Sequence, residues 1–155
     1  RLTQAVARSN RSGRQLAVLF VDLDEFKAVN DAHGHAAGDA VLAALGGRLS
    51  AAVRPSDTVG RLGGDEFLVI CENLDQAQAV ALGERLAATA RVPIMTPGAE
   101  HHLSASVGVA LSDGRPPNAN ALVRAADAAA YRAKRGDGDV ELSPEPPPTT
   151  DGGPG

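Results

Sequence analysis

The sequence predicts an α+β domain, an α/β sandwich in which a central, mostly antiparallel sheet has helices packed around it. Three observations carry this. The run Leu16-Ala17-Val18-Leu19-Phe20-Val21 is unbroken, apolar and of strand length, as expected for a central strand covered on both faces. Two further strand patterns flank Gly63-Gly64-Asp65, which makes them a hairpin. Alanine- and leucine-rich stretches with helical spacing separate the strands, and strands alternating with helices call for a layered sheet.

Taken in order, Leu2 to Arg11 places Leu2, Ala5 and Val6 on one helical face. The chain starts abruptly on this helix, as a fragment would. The apolar strand then ends at Asp22. Asp24 is a good N-cap for a short helix over Glu25 to Asp31, and Gly34 separates it from a longer helix over about Ala37 to Val53. Thr58 to Leu62 and Glu66 to Cys71 form the hairpin arms, and the turn between them needs positive φ, which Gly63 and Gly64 supply. Asp75 to Ala90 reads as a helix, His102 to Leu111 as a strand, Asn118 to Lys134 as an alanine-rich helix, and Val140 as the start of a last short strand. From Ser143 the chain is Pro- and Gly-rich, so residues 143–155 are expected to be a disordered tail or linker and residues 1–142 the single domain.

Composition narrows the function. Hydrophobic residues make up 43% and charged residues 22%, ordinary globular usage. The net charge of −4, from 15 Lys and Arg against 19 Asp and Glu, provides no basic field for a nucleic-acid backbone, so nucleic acid is excluded as a partner. The lone Cys71 lies in an apolar strand and reads as a small core residue. No membrane-length apolar run and no signal segment is present, so no membrane contact by this domain is expected, and the cytoplasm is the expected location, including as the cytoplasmic part of a membrane-anchored protein. His33, His35, His101 and His102 lack zinc-site spacing and read as loop or core residues, with His35 fixing the loop between two helices.

The acids carry more information. Asp22 and Asp24 terminate the apolar strand, and Asp65 and Glu66 sit on the hairpin turn. If the hairpin pairs beside the first strand, four carboxylates converge at one end of the sheet. Clustered carboxylates repel, and a hard cation, Mg²⁺ or Mn²⁺, is the natural neutraliser. A metal there would bind triphosphate oxygens and activate a hydroxyl for in-line attack. Each acid alone is better read as a cap or turn former; all four at two structural breaks favour a metal site. Gly63 and Gly64 let a nucleotide approach the backbone, Lys27 and Lys134 suit phosphates, and Asn30 and Asp39 offer the mixed donors and acceptors of a guanine edge.

A βααββαβ order resembles the ferredoxin-like palm of nucleotide cyclases and polymerases. Val21-Asp22-Leu23-Asp24-Glu25-Phe26-Lys27-Ala28-Val29-Asn30-Asp31, Gly34-His35, Gly38-Asp39 and Arg61-Leu62-Gly63-Gly64-Asp65-Glu66-Phe67 together resemble the GGDEF domain of diguanylate cyclases. Ser104-Ala105-Ser106-Val107-Gly108-Val109-Ala110, Ala126-Asp127 and Tyr131-Arg132-Ala133-Lys134 are similar to its later signatures. Several ordered motifs at family spacing make the resemblance specific.

The resemblance implies condensation of two GTP into cyclic di-GMP with release of two pyrophosphates, at a homodimer of domains that each hold one GTP. It implies Asp65 and Glu66 as catalytic residues, and Asp22, Asp65 and the Leu23 carbonyl as ligands of Mg²⁺ or Mn²⁺. Backbone amides of Glu25 and Phe26 and the side chains of Lys27 and Lys134 would meet the triphosphate, Gly63 and Gly64 would allow its approach, and Asn30 and Asp39 would read guanine. It further implies an inhibitory cyclic di-GMP site at Arg54-Pro55-Ser56-Asp57 with Arg61 just downstream, which Arg85 can complete across a dimer. An upstream sensor domain is implied in the full protein, and the proline-rich tail is compatible with a downstream phosphodiesterase domain.

The chain departs from the family pattern twice. Where a Gly-Arg-Asn run is usual it reads Arg135-Gly136-Asp137-Gly138-Asp139, which puts an acid near the place of a phosphate-binding arginine, and the usual opening segment before Arg1-Leu2 is lacking. Two alternatives therefore stand beside an active cyclase: a catalytically silent GGDEF module that binds GTP or cyclic di-GMP and regulates an attached domain, and a plain interaction domain on the same fold.

Overall fold

The computed structural model describes residues 1–113 and 118–144. Among these residues twelve elements follow one another: α1 (Leu2–Ser12), β1 (Leu16–Asp24), α2 (Phe26–His33), α3 (His35–Ala51), β2 (Thr58–Gly63), β3 (Glu66–Glu72), α4 (Gln76–Arg91), β4 (Ile94–Thr96), β5 (Ala99–His101), β6 (Ser104–Leu111), α5 (Ala119–Arg135) and β7 (Val140–Leu142). The main sheet has the order β2-β3-β1-β6-β7, antiparallel except where β6 runs parallel to β7, and β4 and β5 form a separate hairpin. The expected α+β class is therefore the observed one.

The central place of β1 follows from its composition: every residue from Leu16 to Val21 is buried, because side chains on both faces meet apolar layers. Its alternation divides two cores. Ala17, Leu19, Val21 and Leu23 face Val41, Leu45 and Leu49 of α3 and Leu82 and Leu86 of α4, whereas Leu16, Val18 and Phe20 face Ala5 of α1 and Leu122, Ala126 and Ala130 of α5. Each fully buried Leu adds about 1.5–3 kcal/mol relative to exposure.

The alanine richness of α5 has a steric reason. It lies so close to β6 that a β-carbon on Gly108 would fall 1.9 Å from the Ala126 carbonyl oxygen and 2.3 Å from the Ala130 nitrogen. Helix starts follow local chemistry. Asp75 and Gln78 form a reciprocal capping box on α4, with bonds of 2.8 and 3.0 Å, and Asn118 Oδ1 accepts from the Ala121 amide at 3.1 Å on α5.

Several sequence expectations need correction. β1 continues past Asp22 to Asp24, because β6 pairs with it as far as Ser104 opposite Asp24. Asp24 is consequently a strand residue and caps no helix: the N-cap of α2 is Glu25, in the left-handed region at φ 56°. The helix expected from Ala37 starts at His35. The strand expected from His102 begins at Ser104, and the segment before it folds back as the unanticipated β4–β5 hairpin. Its signal was Pro97-Gly98, a turn pair in which Gly98 takes φ 83°. His35 is exposed; the ring contact near the α2–α3 junction is instead made by His33, edge-on at 4.9 Å to buried His101. Most of the expected tail, residues 145–155, lies outside the described residues. No helix among the described residues is long and apolar enough to cross a membrane.

Candidate active site

The sheet brings the strand-end acids together by register. Asp22 lies opposite Glu66 of β3 on one side and Ser106 of β6 on the other, and Asp24 lies opposite Ser104. Strand alternation puts Asp22, Asp24, Glu66, Ser104 and Ser106 on the same face as Phe20, Leu68 and Ala110, the face that α5 covers. The expected pairing of the hairpin beside the first strand is thus present. The Asp65 carbonyl accepts the Leu23 amide at 3.1 Å, which ties the hairpin turn to the end of β1. That turn is shaped by glycine: Gly64 takes φ 51°, and the β2–β3 register shifts between Arg61 and Gly63.

The last turn of α5 delivers Lys134 into this cluster. Its Nζ donates to Asp22 Oδ2 at 3.0 Å and to the Leu23 carbonyl at 3.4 Å, and lies 3.6 Å from Asp24 Oδ1. Asp24 is held from the other side, accepting Ser106 Oγ at 2.9 Å on Oδ1 and Ser104 Oγ at 2.8 Å on Oδ2. In the sequence the two serines were legible as part of a strand and of the Ser104-Ala105-Ser106-Val107-Gly108-Val109-Ala110 motif, not as partners of Asp24. Their role depends on β6 pairing with β1, which the linear sequence does not state.

The electrostatics show more negative charge than one lysine neutralises. Burial pushes the Asp22 carboxyl above its ordinary pKa, Asp65 and Asp24 add to the rise, and the Lys134 hydrogen bond and charge only partly offset it. Glu66 is raised as well, first by burial and then by Asp22, Asp127 and Asp65. Lys134 is raised in turn, because the bond and charge of Asp22, with Asp24 and Asp65, outweigh its burial. Asp127, on α5, did not stand out as a site residue in the sequence.

This donor set suits a hard cation. The Asp22 carboxylate and the Leu23 carbonyl already converge on one positive centre, the Lys134 ammonium, and acids raised in pKa by one another are groups that a divalent ion would relieve. Among the described residues no three Asp, Glu, His or Cys side chains form a ligand group by themselves.

The other anticipated residues fall in three places. Phe26, Lys27 and Asn30 are on α2 directly after β1, with Phe26 buried and Lys27 exposed, and Glu25 is the strained residue between strand and helix. Asp39 lines a cavity of about 320 Å³ with Leu42, Gly60, Arg61 and Phe67, between α3 and β2. Arg54, Asp57 and Arg85 line a different cavity, about 600 Å³, together with Gln78 and the apolar Leu74 and Leu82. Arg54 and Asp57 make a turn in which Asp57 Oδ2 accepts the Arg54 amide at 3.0 Å, which leaves the guanidinium free of that bond. Arg61 is not in this cavity; its Nε donates to the Gly64 carbonyl at 2.9 Å and so braces the glycine turn. Below the Arg54–Asp57 turn, Cys71 is fully buried, and burial first, then the nearby Asp57 carboxylate, pushes its thiol up to about 12.

Comparison with known proteins agrees with this architecture. Residues 1–139 match the family described as "Diguanylate cyclase, GGDEF domain". The chain is 46% identical over 134 residues to the bifunctional diguanylate cyclase/cyclic di-GMP phosphodiesterase MucR of Pseudomonas aeruginosa, covering 86% of this chain and 20% of that protein. It is 42% identical over 137 residues to the diguanylate cyclase TpbB of the same organism, covering 87% of this chain and 32% of TpbB. The chain therefore spans between a fifth and a third of the length of these relatives. The crystal structure of the TpbB GGDEF domain superimposes with a TM-score of 0.83 at 38% identity, covering 94% of this chain and 92% of that one. With the sheet order, the carboxylate end of β1 and the glycine turn all in place, the chain belongs to the GGDEF-domain family of diguanylate cyclases.

Proposed function

We propose that the domain is an active diguanylate cyclase, condensing two GTP into cyclic di-GMP and two pyrophosphates. The observation that carries this reading is the convergence of Asp22, Glu66, the Asp65 turn and Lys134 at one end of the sheet, beside α2 with its Asn30 and Lys27. Asp22, Asp65 and the Leu23 carbonyl would hold Mg²⁺ or Mn²⁺, which supplies charge neutralisation for the triphosphate. The amides of Glu25 and Phe26, with Lys27 and Lys134, orient the phosphates, and Asn30 and Asp39 hold the base. Glu66, whose raised pKa makes it a better proton acceptor than an exposed glutamate, receives the 3′-hydroxyl proton as that oxygen attacks the α-phosphate of the second GTP. Pyrophosphate leaves, and the same step repeated closes the ring.

One pocket per domain holds one GTP, so catalysis requires two copies face to face. The Arg54, Asp57 and Arg85 cavity is the right kind of site for the product: arginine forks match guanine and phosphate edges. Product there inhibits, with Arg61 near the glycine turn linking inhibition to the reacting end. An upstream sensor, a cytoplasmic setting and, in the full protein, a phosphodiesterase partner domain complete the reading.

One observation favours a second reading, a silent module that binds guanine nucleotides: Asp137 stands three residues after Lys134, near the place of the family's usual phosphate-binding arginine. Incubation of the domain with GTP and Mg²⁺, with a phosphodiesterase present to remove inhibitory product, separates the two. Cyclic di-GMP formed by the wild type and absent with Asp65→Ala establishes the cyclase, and GTP binding without product establishes the silent module.

A further inference from the structure

Gly38 lies in α3, buried, one residue before Asp39. Its backbone is not in the left-handed region, and alanine would be the better helix former there, so neither the turn nor the helix demands glycine. The demand comes from α2. A β-carbon on residue 38 would lie 1.8 Å from Asn30 Oδ1, 2.9 Å from Asn30 Cγ and 3.2 Å from Phe26 Cζ. The amide end of Asn30 therefore occupies the volume that any side chain at position 38 would take. The backbone fixes the two residues relative to one another: the Gly34 amide donates to the Asn30 carbonyl at 2.8 Å, and the Gly38 amide to the Gly34 carbonyl at 3.2 Å.

We infer that Gly38 is a positioning residue for base recognition, whose missing side chain leaves the space in which the Asn30 amide is held ready for the guanine edge. The inference rests on the reading of Asn30 and Asp39 as the residues that meet the base. An asparagine amide presents one acceptor and two donors, and it discriminates between bases only if its rotamer is set. Here α3 sets it by steric permission, on the helix that also carries Asp39. Because the obstructed atom is the end of a rotatable side chain, Gly38→Ala leaves the fold intact and turns Asn30 away.

The test is calorimetric titration of GDP and ADP, each with Mg²⁺, into wild type, Asn30→Ala, Gly38→Ala and the double variant, with melting temperatures alongside. Wild type should prefer GDP. Gly38→Ala should bind GDP roughly three- to tenfold more weakly, the loss of about one neutral hydrogen bond, with ADP affinity unchanged and an equal or higher melting temperature. The double variant should be no weaker than Asn30→Ala alone, because both changes remove the same contact. GDP affinity retained in Gly38→Ala while Asn30→Ala is weakened would overturn the inference, as would full additivity or a lowered melting temperature that accounts for the loss. Equal GDP binding by wild type and Asn30→Ala would instead remove the reading of Asn30 beneath it, and the inference with it.

Discussion

Replacing Gly108 by alanine should damage both the fold and the site. The added carbon would sit 1.9 Å from the Ala126 carbonyl oxygen, 2.3 Å from the Ala130 nitrogen and 2.9 Å from the Ala129 carbonyl carbon, all backbone atoms of α5 that cannot rotate away. An ordinary contact begins near 3.4 Å, so α5 must move off β6 by roughly 1–1.5 Å over its central turns. Overpacking of this kind costs about 1–3 kcal/mol when side chains can yield; with a helix backbone as the obstacle the upper end, about 3 kcal/mol, is expected. At roughly 2–4 °C per kcal/mol for a domain of this size, the melting temperature should fall by about 6–12 °C. The same displacement draws Lys134, on the last turn of α5, away from Asp22 and the Leu23 carbonyl, so cyclase activity should fall even at temperatures where the variant is fully folded. Thermal and urea unfolding together with the GTP turnover assay measure the two effects. Gly47→Ala is the control, because nothing lies within 4 Å of a β-carbon there and the helix should gain up to about 1 kcal/mol. A Gly108→Ala variant that melts with wild type would refute the packing argument, and one that melts lower but turns over normally when folded would refute the link to Lys134.

The raised carboxyl of Glu66 makes a pH-dependent prediction. Its native pKa lies above the ordinary 4.5, so the native state binds this proton more tightly than the unfolded chain; the resulting stabilisation is complete below about pH 4.5 and is lost as pH rises through the native value. Glu66→Gln should therefore melt slightly higher than wild type at pH 7, and the gain should vanish on acidification while activity is lost at every pH; a gain that grows in acid would contradict the assignment. Arg54→Ala should leave initial rates near wild type and weaken cyclic di-GMP inhibition by about tenfold or more, since a charge-assisted bidentate contact contributes about 1.5–3 kcal/mol. An unchanged inhibition curve would remove the Arg54–Asp57 cavity as the product site.

Much of the architecture was legible because it is written in near neighbours. The apolar run from Leu16 to Val21 announced a strand buried on both faces, Gly63-Gly64 announced a turn, and Asp75 and Asn118 announced helix starts that they do cap. The β4–β5 hairpin was not read, since three-residue strands carry too few alternations to register as a pattern, and only Pro97-Gly98 marked it. Asp24 was misassigned for a related reason: an aspartate before a helical pattern is ordinarily a cap, and only the pairing partner, β6, makes it a strand residue held by Ser104 and Ser106.

By itself the sequence determined the fold class, the order of the longer elements and the family, because period, turn chemistry and motif spacing are local properties of the chain. It also determined which acids would stand at strand ends. Tertiary structure decided what those acids meet. Register placed Glu66 opposite Asp22 and the β6 serines against Asp24, helix packing brought Lys134 from 112 residues away to within 3.0 Å of Asp22, and the α2–α3 contact set the Asn30 amide against Gly38. The physical reason is that strand pairing and helix packing join residues distant along the chain through the burial of two apolar faces, and that burial is shared among many side chains, none of which names its partner.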